Sequence, residues 1–296
     1  MLEGNTGDLR RYNFMKTKNF QLGLTGFPLE HSLSPKIHTA ALQACQLDGE
    51  YSLFPVHPHD RQALRDLLDR VRSRDLHGLN VTIPHKQTVI PYLDELTPTA
   101  RSIGAVNTIY LSDDRLVGDN TDAPGFLADL KKFLDAESLS HSEVRTLVLG
   151  AGGSARAVVY ALLHHGWSVT IAARRLEQAE QIAGSFTAYQ LKITDVSLSD
   201  LDASKFTLVV NTTPIGMTPN THQSPWPAEV PFPPRAAIYD LVYNPRETKL
   251  VQEACARGLS ATTGVGMLIE QAALAFEIWT GCEPPREALL RAVNQT

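Results

Sequence analysis

The segment Thr146-Leu-Val-Leu-Gly-Ala-Gly-Gly-Ser-Ala-Arg-Ala157 restricts the fold of this 296-residue chain more than any other. Thr146 to Leu149 is a short apolar run of β-formers, as expected of a strand buried on both faces. Gly150, Gly152 and Gly153 then allow a tight turn whose backbone can come close to a ligand. Ser154 to His165 predicts a helix stopped by Gly166, and Ser168 to Ala173 predicts a second strand. Strand, glycine turn, helix and strand make a βαβ unit. Its helix start offers free N–H groups and a positive dipole end, which suit a pyrophosphate. A pair of glycines alone says little, and its place between strand and helix is what gives it weight. The plain alternative is a tight turn that binds nothing.

The end of the second strand decides which dinucleotide fits. An NAD site wants a carboxylate there, roughly 20 residues past the glycines, for the ribose 2′-hydroxyl. This chain has Ala172-Ala173-Arg174-Arg175 and no acid before Glu177. Two guanidiniums suit a 2′-phosphate through charge-assisted, bidentate hydrogen bonds. The expectation is NADP, against a plainer reading of two solvated surface arginines.

The same alternation runs through the whole chain. Strands are predicted at Gln21–Gly26, Tyr51–Val56, Leu79–Ile83, Ser102–Leu111, Phe206–Met217 and Ala236–Pro245, with a weak one near Tyr189. Helices are predicted at Lys36–Cys45, His59–Arg74, past Ala123-Pro-Gly-Phe to Leu134, after Arg175 to Phe186, and at Glu247–Arg257. A glycine turn after Thr262 opens a long helix to Trp279, and Pro284-Pro285 begin the last one. Alternating elements with apolar strands predict an α/β protein with parallel sheets. At this length two domains are expected. Ligands of such sheets bind beyond the carboxyl ends of the strands, where several polar clusters of the first half fall. Ser32 and Ser34 stand in a loop before Pro35, and Ser34 either caps the helix or joins Ser32 in holding a small polyhydroxylated or anionic ligand. Asn80 and Thr82, two apart on a predicted strand, would share one face of the sheet. Lys86 follows Pro84, which must end that strand; on pattern alone it is either solvated or catalytic. Asn107 lies inside the next predicted strand, and Asp122, just before Pro124, stands near a helix N-cap.

Composition excludes some classes. A net charge of −5 gives no reason to expect nucleic acid or an anionic membrane as partner. No apolar run approaches the ~20 residues of a membrane span, and no signal-peptide core follows Met1. Cys45, Cys255 and Cys282 are odd in number, widely separated and without metal spacing, which reads as a reducing compartment and a cytoplasmic protein. Residues 1–20 read as a polar N-terminal extension. The oligomeric state, monomer or homodimer, is left open.

Asn80-Val-Thr-Ile-Pro-His-Lys86, Ser32-Leu-Ser34, Gly104-Ala-Val-Asn-Thr108 and Gly118-Asp-Asn-Thr-Asp122 together closely resemble the shikimate dehydrogenase family. Gly150-Ala-Gly-Gly-Ser-Ala-Arg-Ala, Asn211-Thr-Thr-Pro-Ile-Gly-Met and Gly264-Val-Gly-Met-Leu-Ile-Glu-Gln271 resemble the same family's cofactor-side motifs. The resemblance runs from about Leu22 to the C-terminus. It implies NADPH-dependent reduction of 3-dehydroshikimate to shikimate, on the route to aromatic amino acids. It also implies a substrate-binding α/β domain at 21–122 and 263–296, with the C-terminal helices returning to it, and a Rossmann-like NADP domain at 123–262. Ser32, Ser34, Asn80, Thr82, Asn107, Asp122, Tyr243 and Gln271 become substrate-binding, and Lys86 with Asp122 catalytic. Gly150, Ala151, Gly152, Gly153, Ser154, Ala173, Arg174, Arg175, Thr212, Leu241, Gly264 and Met267 become cofactor contacts. Two positions depart from the family pattern. Ala173 stands where asparagine is frequent, and Thr263 where aspartate is frequent.

The chemistry fits that assignment. Hydride transfer to a ketone builds negative charge on its oxygen, which a nearby ammonium can stabilise and then protonate. A pocket of hydroxyl and amide side chains suits a carboxylated polyol with no phosphate. Two rival readings remain. One is a quinate-using relative, which would favour NAD and an acid at the second strand end. The other is a non-catalytic NADP sensor, which would expect damage at Lys86 or Asp122; both residues are intact.

Overall fold

The computed structural model describes residues 19–137, 144–189, 191–195, 198 and 201–295. Of the N-terminal extension expected at 1–20, residues 1–18 lie outside this set, and Phe20 already opens the first strand. The chain forms two units. One comprises Met1–Thr97, Val106–Thr121 and Ala272–Thr296, and the other Pro98–Ala105 and Asp122–Gln271. The boundaries expected at 122/123 and 262/263 thus fall instead at 121/122 and 271/272, and a short excursion at 98–105 belongs with the second unit.

The first unit is built on a six-stranded sheet: β1 (Phe20–Gly26), β2 (Gly49–Pro55), β3 (Gly78–Val81), β4 (Glu95–Leu96), β5 (Thr108–Ser112) and β6 (Arg115–Asp119), in the order β2-β1-β3-β5-β6-β4. β1 pairs parallel with β2 and β3, whereas β5 is antiparallel to both β3 and β6. This sheet adds antiparallel pairs to the expected parallel ones for a local reason. Asp113 and Asp114 both adopt the left-handed conformation, with φ of 47° and 58°. They form the two-residue turn that folds β6 back on β5. The helices are α1 (Ser34–Ala44), α2 (Arg61–Arg72) and the single turn α3 (His85–Thr88).

Three expectations for this half are corrected. Residues 102–111 are not one strand. α4 (Pro98–Ile103) occupies the first part and ends at Gly104, whose φ of +69° makes it a helix-terminating residue; only Thr108–Ser112 is strand, so Asn107 precedes it. β3 ends at Val81, so Thr82 lies beyond it and shares no strand face with Asn80. Ser34 is the first residue of α1 rather than its cap. Leu33 holds the cap position without a side-chain bond, and the Ser32 hydroxyl accepts the Ser34 N–H at 3.2 Å.

The second unit carries β7 (Arg145–Leu149), β8 (Ser168–Ala173), β9 (Lys192–Asp195), β10 (Leu208–Asn211), β11 (Ala237–Asp240) and β12 (Ala261–Thr263). Their order is β12-β11-β10-β7-β8-β9, parallel throughout. The helices are α5 (Asp122–Ala136), α6 (Gly153–His164), α7 (Leu176–Ser185) and α8 (Lys249–Cys255). Period-two alternation sorts the strand residues between two cores. Val148, Ile171, Val210 and Tyr239 pack with Leu130, Val158 and Leu162. Leu147, Leu149, Val209 and Ile238 pack with Trp226 and Leu250 on the other face. The chain order reverses between β7 and β10, and that is where such sheets open a crevice for a ligand.

α9 (Val265–Thr280) leads back into the first unit and is followed by α10 (Arg286–Asn294). There α10 packs on α1, and the Trp279 indole donates to the Ile109 carbonyl at 3.1 Å. Cys45 and Cys282 form a disulfide, which corrects the reading of three reduced thiols. Their separation of 237 residues hides a proximity that only the fold creates. Reduction, or Cys45→Ser, should cost about 2–4 kcal/mol of stability by releasing the α1 end from the C-terminal segment. Thermal melting with and without dithiothreitol measures it, and an unchanged Tm contradicts the structural bond.

Candidate active site

At the crevice of the second unit, Gly150 follows β7 with φ of +106°, a conformation open to glycine. A Cβ there would also stand 2.8 Å from the Thr212 hydroxyl and from Thr213 Cγ2, so the turn and the end of β10 touch. The Thr212 hydroxyl donates to the Leu149 carbonyl at 2.7 Å, tying the two strand ends together. Gly152 is exposed, and a Cβ on it would meet nothing within 4 Å, so the backbone faces open space. Gly152 is also the N-cap of α6 and offers no side-chain cap to the helix. Uncapped N–H groups at a dipole's positive end, beside a glycine that keeps the approach clear, fit a pyrophosphate. Ala151, Gly153 and Ser154 are half-buried around this turn. Ala173 is buried at the end of β8, and Arg174 and Arg175 are exposed just past it, where a 2′-phosphate would lie in a doubly wound sheet.

A buried polar network that the sequence did not announce holds the next strand ends. Asn211 Nδ2 donates to Asp240 Oδ1 at 2.8 Å, and its Oδ1 accepts the Thr213 N–H at 2.9 Å. Asp240 also accepts the Thr248 hydroxyl at 2.6 Å and the Val242 N–H at 3.0 Å. Burial pushes its carboxyl up to about 6, and these three donors oppose the shift. The network fixes Leu241, whose N–H reaches the Asn211 carbonyl at 2.9 Å. A Cβ on Gly264 would stand 2.7 Å from the Leu241 carbonyl carbon, so only glycine passes there. Beyond it, Met267 is buried on the first turn of α9 and Gln271 one turn further. Tyr243 is half-buried, and its surroundings raise its phenol pKa. Asp122 is buried at the start of α5.

The other candidate residues of the first unit lie in β3 and on the segments around it. Asn80 is buried, its Oδ1 accepting the Tyr51 hydroxyl at 2.8 Å and its Nδ2 donating to the Asn107 carbonyl at 3.1 Å. Asn107 Oδ1 accepts the Thr121 N–H at 2.7 Å, and Asn107 Nδ2 donates to the Thr121 hydroxyl at 2.9 Å. Lys86 is half-buried in α3, and its carbonyl accepts the Val106 N–H at 2.7 Å, which ties its turn to the segment entering Asn107. Thr82 and Ser32 are half-buried and Ser34 is buried. Asn80 and Asn107 are thus brought together, and Tyr51 and Thr121 join them. Neither was singled out in the sequence, since a tyrosine in an apolar strand carries no sign of its hydroxyl's partner.

A parallel sheet in doubly wound order, with a glycine turn at its switch point, defines a dinucleotide-binding α/β protein. Family models described as shikimate dehydrogenase substrate binding domain, shikimate / quinate 5-dehydrogenase and shikimate 5′-dehydrogenase C-terminal domain match residues 24–109, 133–214 and 264–293. The shikimate dehydrogenase (NADP(+)) of Salinibacter ruber is 44% identical over 278 residues, 92% of this chain and 95% of the relative. The chain belongs to the shikimate dehydrogenase family. The crystal structure of shikimate 5-dehydrogenase from Thermus thermophilus in complex with NADP(H) and shikimate matches with a TM-score of 0.81 at 38% identity, over 93% of this chain and 99% of that one. Quinate dehydrogenase from Corynebacterium glutamicum in complex with NAD also matches, with a TM-score of 0.81 at 29% identity, over 94% of this chain and 99% of that one.

Proposed function

We propose that the protein catalyses the reversible NADPH-dependent reduction of 3-dehydroshikimate to shikimate, a step toward aromatic amino acids. The observation that carries the cofactor is Arg174 and Arg175 exposed past β8, with no carboxylate before Glu177. Bound NADPH supplies the hydride that reduces the ketone carbon. Gly150 to Ser154 would hold the pyrophosphate, and Thr212, Leu241, Gly264 and Met267 would make further contacts to the cofactor. Ser32, Ser34, Thr82, Asn107, Tyr243 and Gln271 bind the substrate's carboxylate and hydroxyls, while Asn80 both lines the pocket and holds the Asn107 backbone. Lys86 Nζ stabilises the charge developing on the carbonyl oxygen and donates its proton there, and Asp122 orients that ammonium while accepting a substrate hydroxyl.

Quinate with NAD is the rival reading, and it expects a carboxylate where the arginines stand. For location we propose the cytoplasm. Among the described residues no helix is long and apolar enough to cross a membrane. The Cys45–Cys282 bond weighs the other way, since cytosolic disulfides are rare.

Mixing the enzyme with shikimate and NADP+ and identifying the enone product tests the activity; no product refutes it. The double variant Arg174→Ala/Arg175→Ala should raise the KM for NADP ~100-fold or more, because each of the two charged hydrogen bonds lost contributes roughly 1.5–3 kcal/mol. The KM for NAD should stay the same. Equal losses for both cofactors in steady-state kinetics would refute the phosphate role.

A further inference from the structure

The second unit holds a half-buried carboxylate to which the proposed reaction gives no role. Positions three, four and seven apart share a helix face, so α5 presents Asp122, Gly125 and Asp129 along one side. α9 packs against that side. A Cβ on Gly125 would stand 2.7 Å from the Gln271 nitrogen, so the glycine is what lets Gln271 approach. A Cβ on Gly266 would collide with the Asp129 carboxylate, so the second glycine makes room for the acid. Asp129 accepts the Met267 backbone N–H, and its Oδ2 accepts the Tyr239 hydroxyl at 2.5 Å. Lys132 and Glu270 add an ion pair on the same two helices at 2.5 Å. Burial raises the Asp129 carboxyl, and it holds the Tyr239 phenol far above its ordinary range, so Tyr239 remains a donor. The first N–H groups of a helix have no partner within it, and a carboxylate is their best external acceptor. Here α5 supplies that carboxylate to α9.

We propose that Asp129 is a positioning residue for the reaction: it fixes the first turn of α9, and with it Met267 and Gln271, in register with the helix that begins at Asp122. The proposal rests on the roles given above to Asp122, Met267 and Gln271. Its physical content is the geometry of two acceptor oxygens that meet two donors from different elements, one from the β11 tyrosine and one from the α9 backbone. An asparagine at this place sets an NH2 group against one of those donors.

Asp129→Asn and Gly266→Ala perturb the contact from opposite sides. Each should lower kcat for shikimate oxidation about 10- to 100-fold, the size of loss that a small misplacement of reacting groups produces. The Kd for NADP should rise much less than kcat falls, because the glycine turn and the two arginines are untouched and only the Met267 contact shifts. That split between turnover and cofactor binding is what a general loss of structure would not give. A folded Asp129→Asn with wild-type kcat overturns the proposal, and so does a parallel loss of kcat and NADP binding. If Asp129→Asn does not fold, Gly266→Ala is judged by the same criteria. A wild-type enzyme inactive with shikimate would refute the underlying activity instead, so the two failures are distinct.

Discussion

Lys86→Ala is expected to cut shikimate turnover with NADP by about a thousandfold, while NADP binding stays within a factor of about three. The argument is one of placement. α3 is a single turn set just past the carboxyl end of β3, and Val106 hydrogen-bonds the Lys86 carbonyl, so the lysine backbone is fixed on the segment that carries Asn107. In the proposed mechanism, removing the ammonium takes away the group that stabilises the alkoxide and hands it a proton. The residues proposed to hold the cofactor, Gly150 to Ser154 and Arg174–Arg175, lie in the other unit, so binding should survive. Steady-state rates together with quenching of tryptophan fluorescence by NADP separate the two effects. A variant retaining more than about a tenth of wild-type kcat would remove Lys86 from the chemistry.

The second large effect concerns acid stability. His38 lies on α1, 1% exposed, with its ring stacked on Tyr51 at 4.2 Å and 2° and with Trp279 at 5.4 Å. Among the described residues neither ring nitrogen has a partner in full hydrogen-bond geometry. Burial lowers its pKa from 6.5 to about 3, with Asn80 nearby working weakly in the other direction. Because the folded value lies below the unfolded one, the unfolded chain binds the extra proton between the two. His38 therefore contributes its full stability above about pH 6.5 and loses it as pH falls toward 3. The loss should reach roughly 3 kcal/mol by pH 4.5 and ~4 kcal/mol near pH 3. Urea denaturation of wild type and His38→Phe at pH 7 and 4.5 isolates this contribution from that of the carboxylates. Parallel losses in the two proteins would contradict it.

The second unit was readable from its residues because most of its strands are short apolar runs flanked by glycine or polar turns, and because the glycine loop fixes one βαβ unit from which the rest follows. Its edge strand Ala261–Thr263 escaped, being three half-buried residues with no apolar pattern. The first unit was harder. Val106, Ile109 and their neighbours look like a strand back to Ser102, and the decisive signal was Gly104, which ends α4 in the left-handed conformation. The Asp113–Asp114 turn was visible, yet its consequence, a strand running antiparallel within the sheet, depends on both φ angles being positive. The candidate site residues come from local patterning and family resemblance. What no local pattern carries is contact between elements distant in sequence. Examples are Cys45 with Cys282, Tyr51 with Asn80, Asn211 with Asp240, and Asp129 with Met267.

The most direct measurement crosses shikimate and quinate with NADP and NAD in initial-rate assays of the purified wild-type enzyme, followed by absorbance of the reduced cofactor. The account predicts that kcat/KM for shikimate with NADP exceeds every other combination by a factor of ~100 or more, since the discrimination rests on buried hydrogen bonds and on the two arginines. Quinate with NAD turning over as fast as shikimate with NADP would contradict both the substrate and the cofactor assignments.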